Sequence, residues 1–406
     1  MLFFYNLSIR LYSHLIQIAS LKSSKAKQFI TGRENIFERI EQAILPGQQH
    51  IWFHFASLGE FEQGRPVLEK IRQNYLESNI VVTFFSPSGY EVRKNTPLAD
   101  HVFYLPVDTQ TNAERFLKLI NPSMAIFTKY EYWYHYFSEL KRQQVSLYII
   151  SGIFRKSQPF FKWYGGLHRR MLECVSYFFV QNAESRLLLN ELNFKNVTIS
   201  GDTRFDRVYE NAQNPKRIKE IEDFCGDAPV FIAGSTWLPD ERLLAALAQR
   251  NNAWKFIIAP HEIAENRIRD IEELFPESIR FSDLNTASAL PNTMIIDNIG
   301  MLSSLYQYGE VAYIGGGFGA GIHNTLEAAA FGLAVIFGPK YQKFQEAKDL
   351  LQIDAAFSIN DFDDLISVAE KLEDEKYRRE CGRKARQYVE KNTGATDTII
   401  QHITNS

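Results

Sequence analysis

Cysteine is scarce in this chain of 406 residues, which contains only Cys174, Cys225 and Cys381. An odd number at such wide spacing excludes a disulfide framework and does not match the paired spacing of a zinc site. His50 and His54 flank the apolar run 51–53, which is typical of a strand, so zinc is not expected there either. A reducing cytoplasm is therefore the predicted compartment.

The sequence also lacks an excess of charge of one sign. Lysine and arginine total 45, aspartate and glutamate total 48, and the formal net charge is -3. A nucleic-acid partner is not expected, because its phosphates would require a strongly basic face.

Uninterrupted hydrophobic runs long enough to cross a bilayer are missing as well. The mostly apolar stretch 1–19 carries Arg10 and His14, so no run of about 18 apolar residues exists. The basic residues Lys22, Lys25 and Lys27 follow it. An apolar helix followed by a basic cluster suits adsorption to anionic lipid headgroups, and the alternative is a helix packed on the protein body.

What the chain does contain is a repeated alternation of apolar strand-like runs and longer helical patterns. Its length exceeds what one hydrophobic core usually supports, which favours two domains. The first series of predicted strands is 51–56, 80–85, 101–105, 124–128, 145–151, 177–180 and 197–199. The second series is 230–233, 254–259, 293–297, 311–315 and 334–338. This alternation predicts an α/β fold with parallel sheets covered by helices.

The domain boundaries follow from these two series and from the polar stretch between them. We expect an N-terminal helix and basic cluster at 1–30, a first domain of alternating strands and helices at 31–210, a linker at 211–227, a second such domain at 228–390 and a C-terminal helix and tail at 391–406. Ligands of open parallel sheets bind outside the carboxyl ends of the strands, so the loops that follow the strands should carry the chemistry.

The most informative of these loops is the glycine-rich stretch 311–332. Glycines such as Gly316 and Gly317 let the backbone approach a ligand closely, and a helix expected to begin near His323 or Asn324 offers amides to a phosphate. Glu327, one turn into that helix, is then placed to accept hydrogen bonds from a ribose diol, with Asn324 beside it.

Two other interpretations of the glycine-rich stretch remain. Gly315, Gly317 and Ala320 fit a loose dinucleotide-binding fingerprint, but the chain has Gly338-Pro339-Lys340 where that fingerprint expects an acidic residue. Alternatively, the glycines serve only the close packing of helix and strand.

The loop after the first predicted strand contains Ser57 and Glu60. Glu60 is a candidate general base for a reaction at a sugar hydroxyl, but the two residues also fit a capping box that only satisfies free amides at a helix start. Glu131 follows another predicted strand within an aromatic segment, and is either exposed at a helix start or placed in a cleft.

Loops after strands of the second domain supply further candidates for contacts with a nucleotide, although each also fits an ordinary turn. The residues concerned are Ser235, Thr236, Pro260, His261, Ile299, Gly300 and Met301.

Taken in order, these loops resemble those of the transferases of 3-deoxy-D-manno-octulosonic acid (Kdo) in lipopolysaccharide biosynthesis. The resemblance covers about residues 30 to 390. The matching segments are Ala56-Ser-Leu-Gly-Glu60, Glu131-Tyr-Trp133, Gly201-Asp-Thr-Arg-Phe-Asp206, Ala233-Gly-Ser-Thr236, Ile299-Gly-Met-Leu302, His323-Asn-Thr-Leu-Glu327 and Phe337-Gly-Pro339.

The resemblance implies a GT-B fold, in which two Rossmann-like domains face each other across a cleft. It implies that Glu60 is the general base, that Glu131 is the second acidic residue on the acceptor side, and that Asn324 and Glu327 contact the nucleotide. The loop 299–302 is expected to contact CMP as well. No metal and no other cofactor are implied.

Some positions depart from the family pattern. The family commonly has Pro-Arg-His where this chain has Pro260-His261-Glu262, so an arginine expected near the donor phosphate is replaced or displaced. Candidates for its role are His261, Arg267 and Lys340. The pair at 129–130, a lysine and a tyrosine, also replaces the usual acidic residue and threonine.

We therefore predict an inverting glycosyltransferase that moves Kdo from CMP-Kdo to a hydroxyl of the lipid A precursor lipid IVA. The expected location is peripheral, at the anionic cytoplasmic face of the bacterial inner membrane. Two alternatives are a GT-B enzyme that uses another nucleotide sugar and a catalytically silent interaction protein that retains the nucleotide-binding fold.

Overall fold

The chain forms two compact units, of which the first comprises residues 1–207 with 393–406 and the second residues 208–392. The structure is a computed structural model that describes residues 1–129, 131–286 and 290–405.

The first unit is built on a seven-stranded parallel sheet of order β3-β2-β1-β4-β5-β6-β7. Its strands are β1 (His50–Phe55), β2 (Asn79–Phe84), β3 (His101–Tyr104), β4 (Pro122–Thr128), β5 (Ser146–Gly152), β6 (Tyr177–Val180) and β7 (Val197–Ile199). Every residue of β1 is buried, as expected for a central strand of a parallel sheet covered by helices on both faces.

Among the described residues of this unit, nine helices flank the sheet before the chain leaves it. They are α1 (Leu2–Ala19), α2 (Ser24–Thr31), α3 (Ile36–Ala43), α4 (Leu58–Asn74), α5 (Pro87–Arg93), α6 (Gln110–Ile120), α7 (Tyr134–Arg142), α8 (Gly166–Leu172) and α9 (Ala183–Glu191), with a 3₁₀ helix at Pro159–Phe161. Helix α10 (Thr203–Gln213) begins in the first unit and ends in the second.

The second unit has its own seven-stranded parallel sheet, of order β10-β11-β9-β8-β12-β13-β14. Its strands are β8 (Val230–Thr236), β9 (Lys255–Pro260), β10 (Ser278–Arg280), β11 (Thr293–Ile295), β12 (Val311–Ile314), β13 (Ala334–Phe337) and β14 (Ala356–Ser358). Its helices are α11 (Lys219–Cys225), α12 (Leu238–Arg250), α13 (Glu265–Leu274), α14 (Leu302–Leu305), α15 (Leu326–Ala330), α16 (Gln345–Gln352), α17 (Phe362–Glu373) and α18 (Glu375–Lys391), with 3₁₀ helices at Phe281–Thr286 and Tyr306–Tyr308.

The direction in which successive strands are added changes between β1 and β4 in the first sheet and between β8 and β12 in the second. At such a switch point the connections leave neighbouring strands in opposite directions, which opens a crevice outside the carboxyl ends of the strands. The loops that follow β1, β4, β8 and β12 are therefore the places where each unit can hold a ligand.

The α/β architecture predicted from the sequence is confirmed, and all the predicted strands form with small differences in their ends. Two strands were missed, β10 and β14. Each has three residues and lies at an edge of the second sheet, so neither presents a run long enough to show a pattern.

The chain returns to the first unit through its last helix, α19 (Ala395–Thr404). Ile399, Ile400 and Ile403 of α19 join the core on one face of the first sheet. The Asp206 carboxylate accepts hydrogen bonds from the Gly394 N–H (2.6 Å), the Thr396 N–H (2.7 Å) and the Thr396 hydroxyl (2.6 Å). The C-terminal segment is thus a part of the first unit.

Residues 211–227, expected to form a linker, instead include helix α11 of the second unit. Ile221 and Phe224 of α11 are buried, and the Tyr308 hydroxyl accepts a 2.7 Å hydrogen bond from the Ile218 N–H. The polar composition of this stretch reflects the exposed face of a short amphipathic helix.

The N-terminal helix α1 has two different faces. None of its residues, all of which the structure describes, is fully buried, and its outer face exposes a line of large apolar side chains. These are Phe3 (71% exposed), Phe4 (69%), Leu7 (51%), Leu11 (56%), Leu15 (56%) and Ile18 (67%). On the inner face, the Tyr5 hydroxyl donates to Asp108 at 2.5 Å and Tyr12 stacks on Phe85. Across the described ranges, no helix is both long enough and apolar enough to cross a membrane.

Candidate functional site

Glu60 lies in the first turn of α4, directly after β1 and at the switch point of the first sheet. One carboxylate oxygen, Oε2, accepts a 2.7 Å hydrogen bond from the Ala56 N–H. Within the described residues, the Ser57 side chain makes no cap hydrogen bond and Glu60 Oε1 has no hydrogen-bond partner. The reciprocal capping box is therefore not formed, and one oxygen of Glu60 is left for another group.

Burial and the nearby charge of Glu131 raise the pKa of the Glu60 carboxyl to about 7. The Ala56 hydrogen bond and the Lys129 charge act in the opposite direction, because both favour the ionised form. A carboxyl whose pKa lies near neutral pH is suited to exchange a proton with a substrate hydroxyl.

Glu131 follows β4, so it comes from the other side of the same switch point. Its side chain is 15% exposed, and its Oε2 faces His54 Nε2 at 3.3 Å and accepts a 2.9 Å hydrogen bond from Trp133 Nε1. Glu131 is therefore held by the buried His54 and the half-buried Trp133 just ahead of α7, rather than exposed at the helix start. Tyr130, one of the residues that depart from the family pattern, lies outside the described residues.

Two non-glycine residues at this edge of the sheet have left-handed backbone conformations. Lys129 follows β4 with φ of 60°, and Ser151 lies near the end of β5 with φ of 51°. Such conformations are costly for residues other than glycine, asparagine and aspartate, and they concentrate where a structure holds side chains for function.

The segment 201–206 holds α4, the helix that carries Glu60, in place. Asp202 is buried, and its carboxylate accepts hydrogen bonds from Gln63 Nε2 (2.7 Å), the Arg204 N–H (3.0 Å) and Arg204 Nε (2.9 Å). Burial opposes ionisation of Asp202, but Arg204 and Lys129 outweigh it and lower the pKa. The segment thus fixes α4, the helix that carries Glu60.

In the second unit, the glycine-rich turn brings backbones into close contact at the switch point. A Cβ atom on Gly315 would lie 2.3 Å from the Ser235 carbonyl oxygen, and one on Gly317 would lie 2.5 Å from Gly338 Cα. Gly316 has φ of 91°, which favours glycine. Each glycine therefore has a structural requirement, whether or not it also contacts a ligand.

A buried carboxylate lies directly under this turn. Asp240 accepts hydrogen bonds from the Gly316 N–H (2.9 Å), the Trp237 N–H (2.9 Å) and the Tyr313 hydroxyl (2.8 Å). The Gly316 amide, a predicted contact of the donor, is consequently occupied within the protein. Burial raises the pKa of Asp240 against the effect of these hydrogen bonds.

The helix after the glycine-rich turn begins later than expected. It starts at Leu326 rather than near His323 or Asn324, and α15 spans five residues. The Asn324 side chain accepts a hydrogen bond from the Leu326 N–H (3.1 Å) and donates one to Glu327 (3.0 Å). The two predicted nucleotide contacts, Asn324 and Glu327, are thus brought together, but the helix is too short for a strong N-terminal anion site.

The loop 299–302 lies at the same edge of the sheet. Ile299 is 86% exposed, Gly300 has φ of 92°, and Met301 precedes α14. A Cβ atom on Gly234 would lie 2.9 Å from the Leu302 side chain and 2.3 Å from the Tyr306 hydroxyl. Burial and the charge of Glu327 raise the pKa of Tyr306, which places Glu327 near this loop.

Three aromatic side chains stack at the ends of β8, β9 and β12. The ring centroid of His261 lies 4.7 Å from that of Trp237 and 4.5 Å from that of His323. In addition, Trp237 Nε1 donates a 3.2 Å hydrogen bond to His323 Nε2. Burial and the neighbouring His261 lower the pKa of His323. Pro260 ends β9 just before this stack, so the predicted contacts Pro260 and His261 do lie beside the glycine-rich turn.

Of the side chains that could replace the missing arginine near the donor phosphate, Arg267 already forms an ion pair. It pairs with the buried Glu241, which also accepts a 2.8 Å hydrogen bond from the Thr236 hydroxyl. Lys340 is exposed and follows the glycine-rich turn. Its backbone N–H donates to the Gly317 carbonyl oxygen (3.0 Å) and its ammonium donates to the Gly319 carbonyl oxygen (2.8 Å). No group of three or more His, Cys, Asp or Glu side chains in the described ranges is arranged to hold a metal ion.

Comparison with known proteins relates this geometry to a family. Residues 33–207 match the family model described as 3-deoxy-D-manno-octulosonic-acid transferase (kdotransferase). The 3-deoxy-D-manno-octulosonic acid transferase of Haemophilus influenzae is 26% identical over 95% of this chain and 93% of its own length. That of Rickettsia bellii is 25% identical over 93% of this chain and 94% of its own length.

This chain is related to the Kdo transferases. Glycosyl transfer is the activity that the names of these relatives describe. A bifunctional glycosyltransferase/methyltransferase of Fusobacterium nucleatum is also similar, at 27% identity over 82% of this chain, and the chain spans 54% of the length of that relative.

Solved structures show that this relative of the Kdo transferases has the GT-B fold. UDP-GlcNAc 2-epimerase from Neisseria meningitidis is similar with a TM-score of 0.64 and 15% identity, covering 88% of this chain and all of that one. A glycosyltransferase from Rickettsia africae is similar with a TM-score of 0.55 and 13% identity, covering 87% of this chain and 97% of that one. At these identities the likeness concerns the fold alone.

Several residues beside the Kdo-transferase motifs escaped sequence reasoning. The sequence motifs raise only a metal-ligand role for His54 and single out none of Asp240, Trp237 and Gln63. Their one signal is position, since His54 lies at the carboxyl end of a buried strand and the other three lie just after strands that border a switch point.

Proposed function

We propose that this protein transfers Kdo from CMP-Kdo to a hydroxyl of the lipid A precursor lipid IVA, with Glu60 as the general base. The observation that carries the proposal is the position of Glu60 beside Glu131 at the switch point of the first sheet, with a pKa of about 7. Family relationship to the Kdo transferases supports the choice of sugar.

In the proposed reaction, the acceptor hydroxyl donates its proton to the free oxygen of Glu60 as its own oxygen attacks the anomeric carbon of Kdo. A new C–O bond forms on one face of the sugar while the bond to the CMP phosphate breaks on the other, so the configuration inverts. CMP leaves with both electrons of that bond on its phosphate. Glu60 must be ionised to accept the proton, and its burial limits competition from water.

The second unit is proposed to hold the donor. We assign Asn324 and Glu327 to the ribose and the loop 299–302 to the remainder of the nucleotide. Lys340 is the cation we assign to the phosphate, because it borders the glycine-rich turn while Arg267 is paired with Glu241. Ser235 and His261, which border the same turn, are proposed as additional donor contacts.

The outer face of α1 is proposed to adsorb to the anionic cytoplasmic face of the inner membrane, where a lipid acceptor resides. Its line of exposed side chains runs along one side of an 18-residue helix. Lys22, Lys25 and Lys27 follow directly, and a basic cluster beside an apolar face adds electrostatic attraction to anionic headgroups.

The direct test is incubation of the purified protein with a tetra-acylated lipid A precursor and CMP-Kdo, followed by mass measurement of the lipid. The proposal predicts a product heavier by one or more Kdo residues. A parallel reaction with UDP sugars should leave the lipid unchanged. No mass increase with CMP-Kdo would contradict the proposal, and an increase only with a UDP sugar would favour a different GT-B transferase.

A further inference from the structure

His54 is a buried residue of β1 whose ring contacts Glu131. Its side chain is 0% exposed, and it is the penultimate residue of the strand, with Glu60 six positions further along the chain. A histidine so placed needs hydrogen-bond partners for both ring nitrogens, because an unsatisfied buried polar group is costly.

Both nitrogens of His54 have partners in one continuous chain of contacts. Nδ1 lies 2.8 Å from the Thr83 hydroxyl oxygen, and that oxygen also accepts a 2.8 Å hydrogen bond from Trp52 Nε1. Nε2 lies 3.3 Å from Glu131 Oε2. The chain therefore runs from Trp52 through Thr83 and His54 to the carboxylate.

The direction of these hydrogen bonds follows from the donors available. Trp52 Nε1 only donates, so the Thr83 oxygen is an acceptor towards it. The single Thr83 proton can go to His54 Nδ1 at 2.8 Å or to the Phe53 carbonyl oxygen at 3.3 Å, and the shorter contact favours His54. The carboxylate of Glu131 accepts and cannot donate when ionised, so the contact with His54 requires a proton on Nε2. A proton on Nε2 lets Nδ1 accept from the Thr83 hydroxyl, and the whole chain is then satisfied.

We propose that His54 is a positioning residue that donates from Nε2 to Glu131 and holds this carboxylate in place beside Glu60. The inference rests on the proposed role of Glu60 as the base. It assigns His54 an effect on the reaction without contact with the substrate.

The effect reaches Glu60 through charge. An ionised Glu131 disfavours a second negative charge nearby, and this is one of the reasons that Glu60 holds its proton up to neutral pH. The groups that face Glu131 or Glu60 come from several elements: Tyr5 and Tyr12 of α1, His54 of β1, Lys129 after β4, and the two carboxylates themselves.

The test compares the pH dependence of kcat/KM for transfer in the wild type, His54→Leu and His54→Gln. Leucine removes the donor, so the Glu131 carboxylate is no longer held beside Glu60. The acidic limb of the pH profile, which Glu60 sets, should then move down by about one pH unit. Glutamine can place an N–H near the position of Nε2 and should restore most of the wild-type profile. An acidic limb that is unchanged in folded His54→Leu would overturn the proposal.

His50→Leu is the matched control. His50 lies on the same strand with 1% exposure, but its Nδ1 is bonded to the Ile120 carbonyl, 2.6 Å away, at the far end of β1. Its replacement should lower stability and leave the acidic limb in place. If His54→Leu does not fold, Thr83→Val removes the hydroxyl that fixes Nδ1 and should move the limb in the same direction.

A second measurement does not depend on activity. In a spectrum of ¹⁵N-labelled histidine, His54 Nε2 should carry a proton, and its resonance should move in Glu131→Gln. An unprotonated Nε2, or one indifferent to Glu131→Gln, overturns the assignment even if the enzyme proves to use another substrate. If instead the assignment holds and the wild type transfers no Kdo, only the proposed function fails.

Discussion

At the scale of single residues, the chemistry depends on where one glutamate directs its two oxygens. Glu60 occupies the helix position at which a carboxylate usually caps the first turn, but it binds the Ala56 N–H, one residue further back. Partial burial and the charge of Glu131 then raise its pKa to about 7. The same arrangement that prepares a base destabilises the folded protein above neutral pH.

Replacing Glu60 by glutamine should therefore stabilise the protein at alkaline pH. A carboxyl with a folded-state pKa of about 7 and an ordinary value of 4.5 weakens folding as the pH rises above 4.5, with the full penalty present above 7. Because Glu60 is only partly buried, we expect a gain of about 1–2 kcal/mol in the free energy of unfolding at pH 8. Urea unfolding at several pH values measures it.

The gain should shrink as the pH falls from 7 and vanish below 4.5, where Glu60 is protonated in both folded and unfolded states. Glutamine keeps an oxygen that accepts from Ala56, so the helix start is preserved. A Glu60→Gln variant less stable than the wild type at pH 8 would show that the carboxylate has a mainly structural role.

The pH dependence of transfer is a second consequence of the raised pKa. Since only the ionised form of Glu60 accepts a proton, kcat/KM should rise with pH and level off above about 7. Initial rates across the range, at low donor and acceptor concentrations, measure this limb. A rate that levels off near pH 4.5 would mean that Glu60 is not the titrating group.

At the scale of secondary-structure elements, α19 supports the helix that carries Glu60. It packs against α4 and adds isoleucines to the core beneath it, and Asp206 holds its N-terminus by three hydrogen bonds. The acidic residue at the end of the 201–206 motif is thus explained by architecture, whereas Asp202 in the same motif supports α4 directly.

Asp206→Ala should loosen the C-terminal helix. Losing a carboxylate that accepts from two backbone amides and a hydroxyl should cost about 2 kcal/mol of stability. Asp397→Ala changes an exposed residue in the first turn of α19 and should lower the free energy of unfolding by only a few tenths of a kcal/mol. Urea unfolding of both variants makes the comparison, and equal stabilities would contradict the structural role of Asp206.

The proposed membrane contact of α1 is tested by charge placed on its outer face. Leu7→Glu with Leu11→Glu should weaken binding to phosphatidylglycerol-containing vesicles by at least about tenfold, because two apolar contacts are lost and two negative charges are gained. Leu187→Glu, at a residue 60% exposed on α9, is the control. Vesicle binding unchanged in the double variant would favour a helix that only covers the protein body.

At the scale of the whole molecule, the alternation of strands and helices was predictable because each long strand is a buried apolar run with turn residues at its ends. The loops that carry Glu60, Glu131 and Asn324 followed from the same pattern. The three-residue edge strands gave no such pattern, and the polar composition of 211–227 concealed a helix with one buried face.

Partners that meet only in the folded chain could not be predicted from the sequence. His54 contacts a carboxylate 77 residues away and a hydroxyl 29 residues away, and Gly316 donates to Asp240 across 76 residues. Nothing local distinguishes these residues, since their roles arise from the order of strands in the sheet. The helix start at Leu326 likewise differed from expectation, and of the two readings left open for Ser57 and Glu60 the capping box is not formed.

The account depends most on Glu60 as the base for Kdo transfer, and single-turnover transfer from CMP-Kdo to the lipid A precursor tests it directly. Glu60→Gln should lower the rate by at least about a hundredfold while the variant stays folded. Glu62→Gln, in the same turn of α4 and paired with Arg93, should stay close to the wild-type rate. A Glu60→Gln enzyme that transfers Kdo as fast as Glu62→Gln would contradict the account.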